Sequence, residues 1–461
     1  MKTAVILAAG EGKKIWPFNA CHPKAGLPIG GVPNIIRLVK QLQRLDFQQI
    51  TVVTHYLERE ILSFVAGENN VHILPVAALR GTADALEHAM KQIKSEEVLV
   101  IYGDIVVTDD LLKRVIQRFH TVADDGVLLG NSLQHERAQD WFCAKTTEDG
   151  QIVNIYGHPR PHYVDHRLMG IYALRTNNLQ AALAKTPNMM KNVNVGAMPH
   201  MEAEFEQTLQ SLVEQGKKFT CISAENQAVD LDKPWHIIEA AKLVTETEVG
   251  TLTENKISLT ASIHPTAELS GNVILGENVK IGKQVVLEGN AIIGDRTVID
   301  NGAIIGANTI IGHDAILTDH CKIGAHSVIG HHNRFGHCAE FEGVTFEHVS
   351  AVHYGEVYGV VGAYTDIAAG VTVGTLRFDD LNQPHKINGR REEPSQYGTA
   401  AFIGDHTRTG INTLLMPGIK IGVNCAIGPG VIVNKDVPSG TFLYLEQQTV
   451  EKEWGPERYG W

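Results

Sequence analysis

From Leu275 to Phe335 a large apolar residue returns at every sixth position: Leu275, Ile281, Leu287, Ile293, Ile299, Ile305, Ile311, Leu317, Ile323, Ile329 and Phe335. At eight of these steps the next residue is glycine (Gly276, Gly282, Gly294, Gly306, Gly312, Gly324, Gly330 and Gly336). The residue four after each aliphatic is small or thin, as at Val279, Ala291, Thr297, Ala303, Thr309, Ala315, Cys321 and Ser327. A period of six fits neither the face of a 3.6-residue helix nor the two-residue alternation of a long strand. It fits short strands with a corner every six residues, three strands to a coil, each aliphatic pointing into a narrow prism. The glycines are expected to turn the corners without a Cβ penalty. The beat predicts a left-handed parallel β-helix over residues 258–461.

The 461 residues suffice for two or three domains, and 43% hydrophobic with 20% charged residues is ordinary globular composition. A net charge of -12 disfavours nucleic-acid or acidic-membrane partners, and no apolar run is long enough to cross a bilayer. Six scattered cysteines without a CxxC pair suit a reducing cytoplasm and argue against structural zinc. The 22 histidines show no HExxH-type spacing and read as solvated or packed residues.

The first half has a different rhythm. Strands at residues 3–7, 50–53 and 98–101 alternate with helical apolar spacing at 34–46, 82–93 and 109–119, the last with Thr108 as its cap. This predicts an α/β domain with a largely parallel, Rossmann-like sheet over residues 1–245, closed by the helix after Pro234, and a polar linker over 246–257. In the β-helix the hexad register slips between His337 and Gly359. A polar insert, Thr375 to Ala400, carries Lys386, Arg390 and Arg391 and is expected to bulge from a continuous helix. Such an insert serves either as a binding face or as a solvated ornament.

The loop Leu7-Ala8-Ala9-Gly10-Glu11-Gly12-Lys13-Lys14 follows the first strand. It is no dinucleotide fingerprint, because Ile15 stands where the third glycine belongs and Pro17 would break the helix. Nor is it a P-loop, since GxxxxGK[ST] is absent. Two readings stay open on spacing alone: a glycine loop whose N–H groups wrap phosphates, with Lys13 and Lys14 adding charge, or a surface turn.

Residues 7–33, LAAGEGKKIWPFNACHPKAGLPIGGVP, resemble the signature of the sugar-1-phosphate nucleotidylyltransferases. Gly81-Thr82-Ala83 resembles their base-contacting segment, Tyr102-Gly103-Asp104 their metal-binding Gly-Asp, and Val229-Asp230-Leu231 the segment of a second metal-binding aspartate. With the β-helix behind it, the chain is similar to the bifunctional N-acetylglucosamine-1-phosphate uridylyltransferase/glucosamine-1-phosphate acetyltransferases. The resemblance implies a nucleoside triphosphate and a sugar-1-phosphate as substrates, with Lys24 and Lys14 catalytic. It implies nucleotide contacts from Leu7, Ala8, Gly10, Gly12, Lys13, Gly81 and Thr82, and Mg2+ on Asp104 and Asp230. It also implies acetyl-CoA as a possible co-substrate of the β-helix, with His353 as the base, and a homotrimer.

Three departures stand against that pattern. Lys13-Lys14 replaces Thr-Arg, which keeps charge but loses the forked grip of arginine. Gly157-His158-Pro159 stands in place of Glu-Lys-Pro, leaving His158 to meet the sugar phosphate. The base-reading glutamine has no counterpart in Val76-Ala77-Ala78-Leu79-Arg80. Alternative readings are therefore an impaired or regulatory paralogue, or an acyltransferase alone.

Overall fold

The computed structural model describes residues 1–78, 80–133, 137–186, 202–455 and 457. Leu79, in the segment expected to read the base, and the last residues of the β-helix region, Arg458 to Trp461, lie outside them. Strand Thr3–Ala8 is buried along its whole length and lies between strands Gln49–Thr54 and Glu97–Tyr102, parallel to both, with Val71–Pro75 parallel beyond. Helix Asp109–Thr121 starts at Thr108, whose Oγ1 accepts the Leu111 N–H.

The sheet is mixed rather than largely parallel. Strand His166–Arg175 runs antiparallel to Glu97–Tyr102, Gly126–Ser132 and Phe142–Thr146. The cause is local. Strands Phe142–Thr146 and Ile152–Gly157 are joined by a few residues around Gly150, and so short a connection permits only antiparallel pairing. A small separate ribbon pairs Ala228–Asp230 with Ile105–Val107. Helix His236–Val244 follows and runs on as a wider π-turn through Val249 before the solenoid begins at Lys256–Ile257.

The second half is a parallel β-helix. Each strand pairs with the strand eighteen residues on, as Leu275 with Ile293, Ile281 with Ile299 and Leu287 with Ile305, so three hexads make one coil. The aliphatics of the beat are at most 2% exposed, and so are the thin residues between them. Their hydroxyls bond to the backbone: Thr297 donates to Gly312 O at 2.7 Å, Thr309 to Gly306 O at 2.6 Å, and Ser327 Oγ accepts the Gly343 N–H. Each fully buried aliphatic contributes about 1.5–3 kcal/mol relative to exposure, which makes the column the main stabilising element of this half.

The glycines of the beat do not act as expected. The left-handed corner residues are mostly Asn278, Gln284, Arg296, Asn308, Asp314, His326 and His332, three positions after the aliphatic. The glycine itself keeps ordinary backbone angles, and Gly276, Gly294, Gly306, Gly312 and Gly330 are required by close approach. A Cβ at Gly294 would lie 2.6 Å from His313 N, and one at Gly306 2.5 Å from Ala325 N. Successive coils touch at that point with no room for a side chain.

The register slip is a change of coil length. Arg334 pairs with Ser350 and Glu340 with Glu356, sixteen residues apart. Strand Ala339–Thr345 runs straight through a corner without a turn, next to Gly355–Val361. The insert then leaves and rejoins a continuous solenoid, because Val361 pairs with Ile403 and Val373 with Leu415. Its first part projects into solvent, with Leu376, Phe378 and Leu381 exposed, but the rest does not. Its hairpin, His385–Ile387 with Arg390–Glu392, folds back on the first domain, where Glu392 Oε2 lies 3.0 Å from Lys233 Nζ and the His385 ring 4.9 Å from Trp235. One face of the prism joins this contact. Val328, Val344, Phe346, Val360 and Phe402 are buried against Phe18, Trp235 and helix His236–Val244, so the two halves share a hydrophobic core.

Candidate active site

Parallel strands Thr3–Ala8 and Glu97–Tyr102 end on the same edge, the edge where open α/β sheets hold ligands. The loop after Ala8 and the Gly103-Asp104 pair emerge there together, tied by the Gly103 N–H donating to Leu7 O at 2.8 Å. The ribbon strand sets Asp230 opposite Ile105, next in sequence to Asp104, and the Leu231 N–H donates to Asp104 O. Gly12 adopts a left-handed conformation, and a Cβ there would come within 3.1 Å of Lys24 Cβ. Glycine thus lets the loop lie against the Lys24 stem.

Lys24 Nζ sits among three carboxylates: 2.5 Å from Asp104 Oδ2, 3.6 Å from Asp230 Oδ1 and 3.6 Å from Asp232 Oδ1. Lys14 Nζ reaches Asp232 Oδ2 at 3.2 Å, and Lys233, 3% exposed, meets the same oxygen at 2.6 Å. Arg167 closes the cluster on Asp230 Oδ2 at 2.8 Å and lies flat over the Trp141 ring, 3.2 Å from its centroid. Burial alone would lower the Lys24 pKa, but Asp104, Asp230 and Asp232 outweigh it and hold the ammonium firmly charged. Burial, with the neighbouring Asp230 charge, raises the Asp104 carboxyl against the pull of Lys24. Asp232 is driven the other way: burial opposes its charge, yet Lys24, Lys233 and Lys14 keep it well below the usual carboxylate range. His236, half-buried, is pushed down to about 3 by desolvation and by Lys233 and Arg167. Its neutral Nδ1 accepts the N–H groups of Asp232 and Lys233.

These residues fit a divalent cation. Among the described residues Asp230 Oδ1 is buried and accepts no hydrogen bond, the Lys24 ammonium standing off at 3.6 Å, and it shares that ammonium with Asp104. An orphaned carboxylate oxygen near a second carboxylate is the donor set of a hard ion such as Mg2+.

The structure brings Lys14, Lys24, Asp104 and Asp230 to one place. Lys13 stands at the rim, mostly exposed and paired with Glu11 at 2.6 Å. Gly81 has a φ of 112° and a Cβ there would meet Ala203 O at 2.3 Å, so only glycine fits beside that segment. The Thr82 hydroxyl is already occupied: it donates to Glu204 Oε2 at 3.1 Å and accepts from the Phe205 N–H. His158 lies at the end of the strand Ile152–Gly157, its N–H donating to Trp141 O and its Nδ1–H to Gln139 O. Arg167, not His158, is the cation that reaches Asp230. His353 lies in the solenoid, exposed at a corner beside His337.

Sequence reading missed Asp232, Lys233, Arg167 and Trp141. Asp232 had a signal, because residues two apart on an extended segment share a face with Asp230. Arg167 had none; it reaches the site only because strand His166–Arg175 returns antiparallel.

Glu204 yields a pH prediction. Burial, then the charges of Glu206 and Glu202, raise its pKa from 4.5 to about 7. Between these values the folded chain keeps a proton that the unfolded chain has lost, so its stability contribution is present below 4.5 and lost as pH rises toward 7. Glu204→Gln should gain about 1–2 kcal/mol over the parent at pH 8 and nothing near pH 4.5. Urea unfolding at both values checks it, and an equal difference at the two would refute the assignment.

Residues 4–188 match the model of a MobA-like NTP transferase domain, and residues 252–345 that of a GMPPB C-terminal domain. The bifunctional protein GlmU of Methanococcus maripaludis strain C7 is 29% identical over 97% of this chain and 98% of its own. A bifunctional sugar-1-phosphate nucleotidylyltransferase/acetyltransferase of Sulfurisphaera tokodaii is 26% identical over 95% and 99%. A solved putative glucose-1-phosphate thymidylyltransferase of Bacillus anthracis aligns with 52% of this chain and 93% of its own at 18% identity and a TM-score of 0.44. Among the described residues no helix is long and apolar enough to cross a membrane.

Proposed function

We infer that this chain, a nucleotidyltransferase similar along its length to the bifunctional sugar-1-phosphate nucleotidylyltransferases, joins a uridylyl group from UTP to N-acetylglucosamine-1-phosphate. A sugar-phosphate oxygen attacks the α-phosphorus, the bond from that phosphorus to the oxygen bridging the β-phosphate breaks, and the electron pair leaves with pyrophosphate. Such transfer needs positioning and charge neutralisation more than covalent chemistry. The observation that carries this reading is the Lys24 ammonium among Asp104, Asp230 and Asp232. Lys24 would turn from these carboxylates to the α-phosphate as negative charge builds there. Lys14 would neutralise the departing phosphates. Mg2+ on Asp104 and Asp230 would supply Lewis-acid polarisation of the phosphate oxygens. Arg167, braced by Trp141, is the better candidate than His158 for the sugar phosphate, because it is charged at every working pH and faces the site.

The solenoid, over residues 258–461, is proposed to carry the second activity. His353 would take the proton of an amino sugar as acetyl passes from acetyl-CoA, and chains would associate as trimers through β-helix faces left free by the first domain. Six free cysteines support a cytoplasmic setting. A regulatory reading is favoured by one observation: the Lys14 ammonium is spent on Asp232.

Pyrophosphate release separates these readings. Purified chain with Mg2+ would be offered UTP, dTTP, GTP, CTP and ATP, each with several sugar-1-phosphates, beside Asp104→Asn. Turnover greatest with UTP and N-acetylglucosamine-1-phosphate, and lost in the variant, is the expected result. Turnover with another pair would reassign the substrates. No turnover from folded chain would leave the regulatory or acyltransferase-only reading, and acetyl-CoA consumption would decide between those two.

A further inference from the structure

The insert hairpin meets the first domain on the side of the phosphate loop. A cleft of about 320 Å3 lies between them, lined by Lys13, Lys14 and Trp16 from the loop and by Lys386, Asn388 and Lys420 from the solenoid. That is within the size range of small-ligand pockets. Four of its lining residues are lysines and none is a carboxylate. Three of these lysines have carboxylate partners outside the lining: Lys13 with Glu11, Lys14 with Asp232 and Lys420 with Asp436. Lys386, exposed at the hairpin, adds charge that the loop itself does not hold.

The hairpin is firmly placed. Its tip, Asn388-Gly389, has both residues left-handed, as a tight two-residue turn demands. Ile387 is buried, and His385 is locked between Gly398 O and Lys420. Glu392 grips Lys233, which in turn grips Asp232 of the catalytic cluster. A basic wall from the second half of the chain is thereby fixed across the loop that lacks the expected arginine.

We propose that Lys386 completes the phosphate site of the first domain, taking up the terminal phosphates of the incoming nucleoside triphosphate and holding pyrophosphate as it leaves. This rests on the nucleotidyl-transfer reading and adds that the solenoid supplies part of the site. Breaking the α-phosphorus–oxygen bond puts new negative charge on the departing pyrophosphate, and Lys386 with Lys13 and Lys14 offers three ammonium groups where a single loop offers two. Lys386 is a positioning residue for that anion.

The test is binding, not turnover. Inorganic pyrophosphate with Mg2+ is titrated into the full chain by calorimetry, with Trp16 fluorescence as a second readout and Trp16→Phe as its control. Lys386→Ala should weaken binding roughly tenfold to a hundredfold and Lys386→Glu further, while Lys386→Arg retains it. Arg390→Ala on the same hairpin should bind as the parent does. Where a triphosphate turns over, Lys386→Ala should also raise its KM and leave the KM of the sugar-1-phosphate unmoved. Pyrophosphate binding that is absent from the parent, or unchanged in Lys386→Glu, overturns the proposal even if transferase activity is found. Binding that depends on Lys386 in a chain without turnover sustains the anion site and sinks only the transferase reading.

Discussion

Lys24→Met is expected to lower kcat by roughly 10²–10³, the cost of removing one preorganised group that meets developing charge. It should also destabilise the fold. The Lys24 side chain is 15% exposed, and its ammonium is the charge common to Asp104, Asp230 and Asp232. Removing one partner of a buried ion cluster costs about 3–5 kcal/mol, because the remaining charges lose their compensation. The sign with pH follows. Without Lys24 the carboxylates are forced upward in pKa, so the variant recovers part of its stability as pH falls and they take up protons. Adding Asp104→Asn to Lys24→Met should restore stability at neutral pH by removing one repelling charge, without restoring turnover. Urea unfolding at pH 5 and pH 8, with pyrophosphate release on the same preparations, reads both parts. Stability equal to the parent at pH 8 would mean that the three carboxylates do not need the ammonium. Full turnover would remove Lys24 from the chemistry.

Gly359→Ala should be the most damaging single methyl group in the solenoid. Gly359 has a φ of 146°, and a Cβ would stand 1.9 Å from Ala401 O and 2.8 Å from Ala401 N and C. Gly343 repeats the arrangement one coil earlier, its Cβ position 2.0 Å from Gly359 O. Both lie where the strand runs straight through a corner and coils shorten to sixteen residues, so the backbones of adjacent coils touch. No flexible side chain can move aside; the clash is with peptide groups held in the ladder. The expected loss is about 3–5 kcal/mol, read as a drop in the midpoint of the denaturant transition. Gly455→Ala, with open space around it, should leave the midpoint unchanged. The coil that begins at Gly359 leads into the insert, so Gly359→Ala should also loosen the hairpin and the Lys233–Glu392 contact. A variant as stable as the parent would show that the corner can open without cost.

Much of the solenoid was legible because its signal is local and repeated. A strict six-residue beat from Leu275 to Phe335 leaves one way to bury the aliphatics, and they are buried in that way. The role of the glycines was not legible. Spacing shows where glycine falls, not whether it is needed for a positive φ or for lack of room, and the close approach of Gly294 to His313 exists only once two coils are stacked. In the first domain strands Thr3–Ala8, Gln49–Thr54 and Glu97–Tyr102 were readable from apolar runs, whereas Val71–Pro75 was not. The antiparallel strand His166–Arg175, and with it Arg167, was not, because pairing direction is set by connections and neighbours rather than by composition.

By itself the sequence determined the periodic elements and the glycine loop, and its resemblance singled out Lys24, Asp104 and Asp230 as candidates, since each is carried by residues close together in the chain. Tertiary structure alone decided what those residues meet. Asp232 reaches Lys24, and brings Lys233 with it, because a short ribbon folds beside strand Ile105–Val107. The insert, for which the sequence left a binding face and a solvated ornament both open, crosses to the first domain, where Glu392 binds Lys233 and Lys386 lines a cleft with Lys13 and Lys14. Burial of Phe346, Val360 and Phe402 against Trp235 and helix His236–Val244 holds the two halves in that register. The physical reason is the reach of each interaction: hydrophobic periodicity acts over a few residues, whereas the charges of the site and the wall opposite them are gathered from segments more than 200 residues apart.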